Sequence, residues 1–180
     1  MTAWEHMLFG TVGIINSRFD VRACIQAHPE KWFSCRCPGE VEYNLRAWRD
    51  GRLTGMVYPH LAIPYRVRTA EKVWRVCRDR LDAASRHRFR TPDDVLHQLF
   101  SLWEMMEGTF DPVSPSHYGL AKNITPETVD ELEQAILGEA HRMVCPNDSE
   151  QLTQKDFPEM RRRLVRVMEK KFPEQSAFER

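Results

Sequence analysis

The feature that most constrains this chain's fold is a series of apolar stripes at helical spacing, several of them opening on threonine start signals. Thr91-Pro92-Asp93-Asp94 is the strongest such signal. A threonine oxygen accepts orphan amide protons, proline suits a first turn, and acidic side chains favour the positive end of a helix. Val95, Leu96, Leu99, Phe100, Trp103 and Met106 then supply a broad apolar face, and Gly108 supplies a stop. Thr69 is placed to cap a helix burying Val73, Val76, Cys77, Leu81 and Ala84. Thr125-Pro126-Glu127 repeats the signal ahead of Val129, Leu132, Ala135 and Ile136. Trp4, Leu8, Val12 and Ile15 keep the same period near the start, and a last helix is expected from about Phe157 to the Phe172-Pro173 stop.

Between these stripes the patterning weakens. Arg22–Gly55 holds three cysteines and a Pro38-Gly39 turn signal, and is expected to be irregular and partly extended. One or two short strands are expected around Val41–Tyr58. Asp111–Tyr118 is expected to be a loop, and Cys145-Pro146-Asn147-Asp148 a turn. The fold class that follows is mainly α with a few short strands.

At 180 residues the chain can build a real core, with 42% hydrophobic and 29% charged residues as in soluble globular proteins. Twenty-six lysines and arginines balance 26 aspartates and glutamates. That neutrality leaves no global footprint for nucleic acid or an anionic membrane. No apolar run is long enough to cross a bilayer, and Met1–His6 lacks the order of a secretory signal. As given, the chain is expected to be soluble and without an address.

Three groups carry chemistry. Nine basic residues lie between Arg66 and Arg90, opposed only by Glu71, Asp79 and Asp82. Guanidinium groups match phosphate oxygens in pairs. For Arg75, Arg78 and Arg80 the favoured expectation is a solvated basic face. Arg90 directly precedes the Thr91 start signal, where an arginine and a helix amino terminus could cradle a diphosphate. It could equally pair with Asp93 or Asp94, which a divalent metal (Mg or Mn) would have to bridge before phosphate could approach. His60 stands between Pro59 and Pro64 in a stretch that cannot be helical. It is either a proton acceptor for a hydroxyl or a histidine satisfied at the core edge. Cys24 and His28 at helical spacing, with Cys35 and Cys37, have the ligand types of a structural zinc site. The alternatives are free thiols or one disulfide, since five cysteines cannot all pair within one chain.

Three segments carry a resemblance. Pro59-His60 through Ser85-Arg86-His87-Arg88-Phe89-Arg90-Thr91-Pro92-Asp93-Asp94 resembles the third conserved block of Stealth proteins: a histidine near proline, a helical spacer, a Ser-x-His-x-x-Arg run and an acidic pair. Val144-Cys145-Pro146-Asn147-Asp148, then Phe172-Pro173-Glu174-Gln175-Ser176-Ala177-Phe178-Glu179, resembles the fourth, Cys-x-Asn-Asp followed by Phe-Pro-x-x-Ser-x-Phe-Glu. Ile15-Asn16-Ser17-Arg18-Phe19 is similar to the end of the second block.

That family includes bacterial capsule-polymer transferases and the animal enzyme that begins the mannose-phosphate tag on lysosomal proteins. The resemblance implies transfer of a sugar-1-phosphate from a nucleotide sugar, commonly UDP-N-acetylglucosamine, to a hydroxyl of a glycan or glycoprotein, with release of UMP. It implies His60 as general base and Arg90 on the pyrophosphate. Asn147 and Asp148 would bind the donor, unless they form only an Asx turn. It also implies the helical carboxyl-terminal part of an α/β nucleotide-sugar phosphotransferase. In these terms residues 1–20 end the second block, 21–57 are an irregular insertion, 58–110 are the third block, 111–142 a connecting loop and helix, and 143–180 the fourth block. The first block and the Asn-Asp-Asp run of the second are absent, so the chain is expected to be part of a longer protein. Ser114–Lys122 lacks the alternating acids of a calcium loop. A eukaryotic full-length relative would act in the secretory pathway or Golgi. The competing expectation is a non-catalytic helical binding module or a truncated remnant.

Overall fold

The computed structural model describes residues 3–56, 60–114, 117–148, 150–174 and 176–178, with side chains from residue 5 onward. Tyr58 and Pro59 beside His60, and Gln175 and Glu179 of the closing motif, lie outside the described residues, as does the Trp4 side chain. The chain is mainly helical, with nine α-helices and one small parallel sheet among the described residues. It divides into two compact units: Met1–Val57 with Ile63–Val113, and Tyr58–Ala62 with Ser114–Arg180.

The first unit contains α1 (Ala3–Arg18), α2 (Val21–Ala27), α3 (Pro29–Trp32), a 3-10 turn (Pro38–Glu40), α4 (Val41–Asp50), α5 (Val67–Val76), α6 (Arg78–Arg86) and α7 (Gln98–Met106). Val12 and Ile15 of α1 bury against a core that includes Leu99, Leu102, Trp103 and Met106 of α7. Full burial of one such leucine contributes about 2 kcal/mol. Polar side chains join these helices, while Trp32 Nε1 and Gln98 Oε1 stay buried without a hydrogen-bond partner among the described residues. Thr11 Oγ1 donates to the Met7 carbonyl and accepts the Leu96 amide, while Asn16 exchanges two hydrogen bonds with the Leu53 backbone. The buried Glu104 carboxylate accepts from the Thr69 hydroxyl at 2.8 Å and the Arg66 amide at 3.2 Å, fixing α5 to α7.

Several expectations are corrected here. Residues 22–55 are largely helical, and Val41–Asp50 forms α4 where strands were expected. A tertiary contact explains part of this: Asn44 of α4 is buried and donates to the Trp32 carbonyl. Thr69 caps nothing, because α5 already begins at Val67 and the hydroxyl is spent on Glu104. The single helix expected there is two, broken at Cys77. Thr91-Pro92-Asp93-Asp94 is a turn, and the helix begins only at Gln98. Its capping chemistry is used locally, with the Asp94 carboxylate accepting the Thr91 amide at 2.8 Å. Gly108 does end the helix region, in a left-handed conformation with φ of 66°.

The second unit is a strand–helix–strand arrangement followed by one further helix: β1 (Gly119–Asn123), α8 (Val129–Leu137), β2 (Met143–Asn147) and α9 (Phe157–Lys171). Parallel strands need a crossover connection, and α8 supplies it. The register runs from Gly119 opposite Met143 to Asn123 opposite Asn147. Cys145-Pro146-Asn147 is therefore strand rather than turn. Val129, Leu132, Ala135 and Ile136 are buried, as their spacing predicts. Arg163 of α9 grips Glu133 and Asp130 of α8. No helix of the described residues is long and apolar enough to cross a membrane.

Candidate functional site

A pocket of about 400 Å³ opens in the second unit at the carboxyl ends of the two parallel strands. It is lined by His60, Ala121, Lys122, Asn123, Thr125, Thr128, Asn147 and Gln151. Ligands of open parallel sheets commonly sit at this end, where strands give way to loops and helix amino termini. The register sets Asn123 opposite Asn147, and the Asn147 carboxamide donates to Asn123 Oδ1 at 3.0 Å. The Ile124 amide extends the ladder to the Asn147 carbonyl at 2.9 Å.

The turn into α8 forms one wall. Thr128 Oγ1 accepts the Thr125 amide at 3.0 Å and donates to the Asn123 carbonyl. This ties the helix entry to the end of β1. The Thr125 hydroxyl holds the Glu127 carboxyl below its ordinary value. Lys122 is paired with Glu131 in the first turn of α8, so amides and hydroxyls supply most of the lining's polarity.

His60 reaches this pocket through its neighbour. Leu61 is buried, and its side chain rests where a Cβ on Gly119 would stand, at 2.6 Å. The missing side chain of Gly119 thus lets the His60 segment seat against β1. The arrangement can hydrogen-bond a polar ligand from both strand ends and offer it an imidazole for proton transfer.

His60 and Asn147, singled out from two distant motifs, are brought together here. Asp148 is separated from Asn147: it lines a different pocket of about 470 Å³ with Glu150, Leu152, Thr153, Gln154 and Phe157. Arg90 belongs to the first unit and is exposed on the turn between α6 and α7. The helix terminus expected to flank it is absent, since α7 starts at Gln98. What surrounds that turn is a small polar network. His87 Nδ1 lies 2.6 Å from Asp94 Oδ1. Burial acts to raise the Asp94 carboxyl, but the Thr91 amide, His87 and the Thr91 hydroxyl outweigh it and hold it below the ordinary value. Burial, and next the Arg90 charge, push His97 below its ordinary value.

The candidate metal ligands Cys24, His28, Cys35 and Cys37 do not converge. Among the described residues no group of three or more His, Cys, Asp or Glu side chains is placed to hold a metal ion. All five cysteines are free thiols. The His28 ring is occupied in packing over Gly108, filling the space where that glycine's Cβ would be.

Sequence reasoning did not single out Lys122, Asn123, Thr125, Thr128 or Gln151 for this site. Thr125 carried a helix-start signal only, and the Asn123–Asn147 pairing depends on a strand register that no local spacing encodes.

Comparison with known proteins gives a relation of the same kind. The chain is 26% identical over 179 residues to an exopolysaccharide phosphotransferase from Lactiplantibacillus plantarum, covering 98% of this chain and 51% of that protein. It is 24% identical over 176 residues to a capsular polysaccharide phosphotransferase from Streptococcus pneumoniae, covering 97% and 51%. A receptor polysaccharide phosphotransferase from Streptococcus gordonii is 26% identical over 129 residues, covering 71% and 37%. The chain is thus a distant relative of polysaccharide phosphotransferases, and it spans about half the length of those it matches most fully. No family model matches it, and no solved structure does.

Proposed function

We propose that this chain is part of a Stealth-type sugar-phosphate transferase that moves a sugar-1-phosphate from a UDP-sugar to a hydroxyl of a polysaccharide and releases UMP. N-Acetylglucosamine-1-phosphate is the group the motif resemblance favours. The observation that carries the reading is that His60 and Asn147, from two separately matched motifs, line one pocket at the ends of parallel strands. The relation to bacterial polysaccharide phosphotransferases supports a polysaccharide over a glycoprotein as acceptor.

In this reading His60 accepts the proton of the acceptor hydroxyl as its oxygen attacks the sugar-bearing phosphorus. The bond from that phosphorus to the bridging oxygen breaks, and the electron pair leaves on UMP. The product carries a phosphodiester between acceptor and sugar. Asn147, with Asn123, donates hydrogen bonds that hold donor oxygens in place. A pyrophosphate role for Arg90 is supported by the motif resemblance alone and not by this pocket.

The test is the identity of the nucleotide released when the full-length protein is given UDP-N-acetylglucosamine and a capsular polysaccharide acceptor. UMP together with a new phosphodiester phosphorus resonance is expected. Release of UDP would mean glycosyl rather than phosphoryl transfer, and binding without turnover would mean a binding module.

A further inference from the structure

The first unit holds a larger cleft, about 720 Å³, that the proposed reaction does not use. One wall is α1, with Gly10, Gly13, Ile14, Ser17 and Arg18. The other is the α5–α6 junction from Arg75 to Arg80. We propose that this cleft binds a phosphodiester-linked polysaccharide, the polyanionic product or growing acceptor of the transfer; the identity of that polymer rests on the function proposed above.

The cleft arises from the break at Cys77. The chain leaves helical geometry there, with φ of −113° and ψ of 26°, while the residue itself is buried in the core. The interruption splits one basic helix into two and sets Arg75, Arg78 and Arg80 around a concavity. Arg18, at the end of α1, joins them from the facing wall. Sequence alone favoured a solvated basic face for the three arginines of the junction. A fourth guanidinium from a distant helix, across the same open cleft, changes that balance.

The cleft gathers positive charge. Four arginines face a single carboxylate, that of Asp79. Among the described residues none of the four forms an ion pair. Five other arginines of the same unit are spent: Arg36 on Asp111, Arg46 on Glu42, Arg49 on Asp50, Arg22 and Arg66 on backbone carbonyls. Arg52, Arg68, Arg86 and Arg90 are also without an ion pair among the described residues, but they do not line this cleft. Like charges gathered without counterions repel, and an anionic ligand relieves that cost. The start of α6 has no side-chain cap, which adds unmatched amide donors on the same wall.

The opposite wall is cut back to make room. A Cβ added at Gly10 or Gly13 would meet nothing within 4 Å. The volume is within the range of roughly 300–1,000 Å³ usual for small-ligand sites, enough for a short sugar-phosphate segment. Among the described residues no aromatic side chain lines it. That disfavours single-stranded nucleic acid, whose bases need rings to stack on. Each turnover of the proposed reaction leaves one phosphodiester, so the polymer presents repeated negative charges to such a cleft.

The test is a calorimetric titration of the full chain with a synthetic trisaccharide joined by two phosphodiesters. Parallel titrations use the neutral glycosidic trisaccharide, inorganic phosphate and a short single-stranded oligonucleotide. Preferential binding of the phosphodiester trisaccharide, weakening with salt, is expected. Arg75→Gln with Arg78→Gln should weaken it about tenfold or more, and Gly13→Leu should block it while leaving every charge in place. Arg36→Gln with Arg46→Gln, which removes the same charge outside the cleft, should leave it unchanged. Equal binding of phosphate, the neutral trisaccharide or the oligonucleotide would overturn the proposal, as would unchanged binding by the cleft variants. UMP release measured on the same variants of the full-length protein separates the two readings. Cleft binding without any UMP release would sink the transferase and leave a polyanion site, whereas UMP release with no cleft binding would do the reverse.

Discussion

Asn147 donates its carboxamide N–H to the side-chain oxygen of Asn123, 3.0 Å away, across the carboxyl ends of two parallel strands. The pair joins residues 24 positions apart and fixes the floor of the pocket that His60 also lines. Asn147→Ala should weaken UDP-sugar binding by about tenfold, the cost of one or two polar contacts. The bond is exposed, so the thermal midpoint should change little. Calorimetric binding set beside thermal unfolding checks both halves.

Gly108 adopts φ of 66°, and a Cβ there would stand 2.0 Å from His28 Nε2. Gly108→Ala therefore combines backbone strain with a collision and should cost about 2 kcal/mol. Urea unfolding of the variant measures it. The double variant with His28→Ala should recover the part due to the collision and keep the part due to φ.

Asp94 links pH to the turn that carries Arg90. Its carboxyl is held below the ordinary value of 3.8 in the folded protein. The stability it contributes is present above that value and is lost as pH falls through the lower, folded one. Asp94→Asn should thus lower stability at neutral pH and flatten the loss of stability at the acid end. Unfolding free energies measured across the acid range report this directly.

His97 reports on Arg90. Burial first, and the Arg90 charge second, hold it below 6.5. Arg90→Gln should raise the His97 pKa in an NMR titration yet leave it below the ordinary value, because burial remains. The folded state favours neutral His97, so its contribution to stability is lost as pH falls below the ordinary histidine value.

How far the sequence carried these features depends on whether the governing contact is local. The buried face of α8 follows directly from the spacing of Val129, Leu132, Ala135 and Ile136. The bounds of α9 follow from Phe157 and the Phe172-Pro173 stop. Thr91-Pro92-Asp93-Asp94 misled because a cap and a closed turn use the same residues, and here Asp94 bonds back to Thr91. The strands were missed for a different reason. Gly119–Asn123 has no β-branched residue, and Met143–Asn147 contains Pro146. Proline is tolerated because in a two-stranded sheet each strand keeps an open edge. Within the site, His60 and Asn147 were legible as motif residues. Their meeting in one pocket was not, since it rests on the seat of Leu61 against Gly119 and on the parallel register.

The most direct measurement is UMP release from UDP-N-acetylglucosamine by the full-length protein carrying His60→Ala, read as kcat against pH. Loss of a positioned general base should lower kcat by about 10²–10⁴-fold and abolish the limb of the profile that reports imidazole titration. An unchanged kcat with the same pH limb would contradict a proton-transfer role for His60 and remove the chemistry proposed for this pocket.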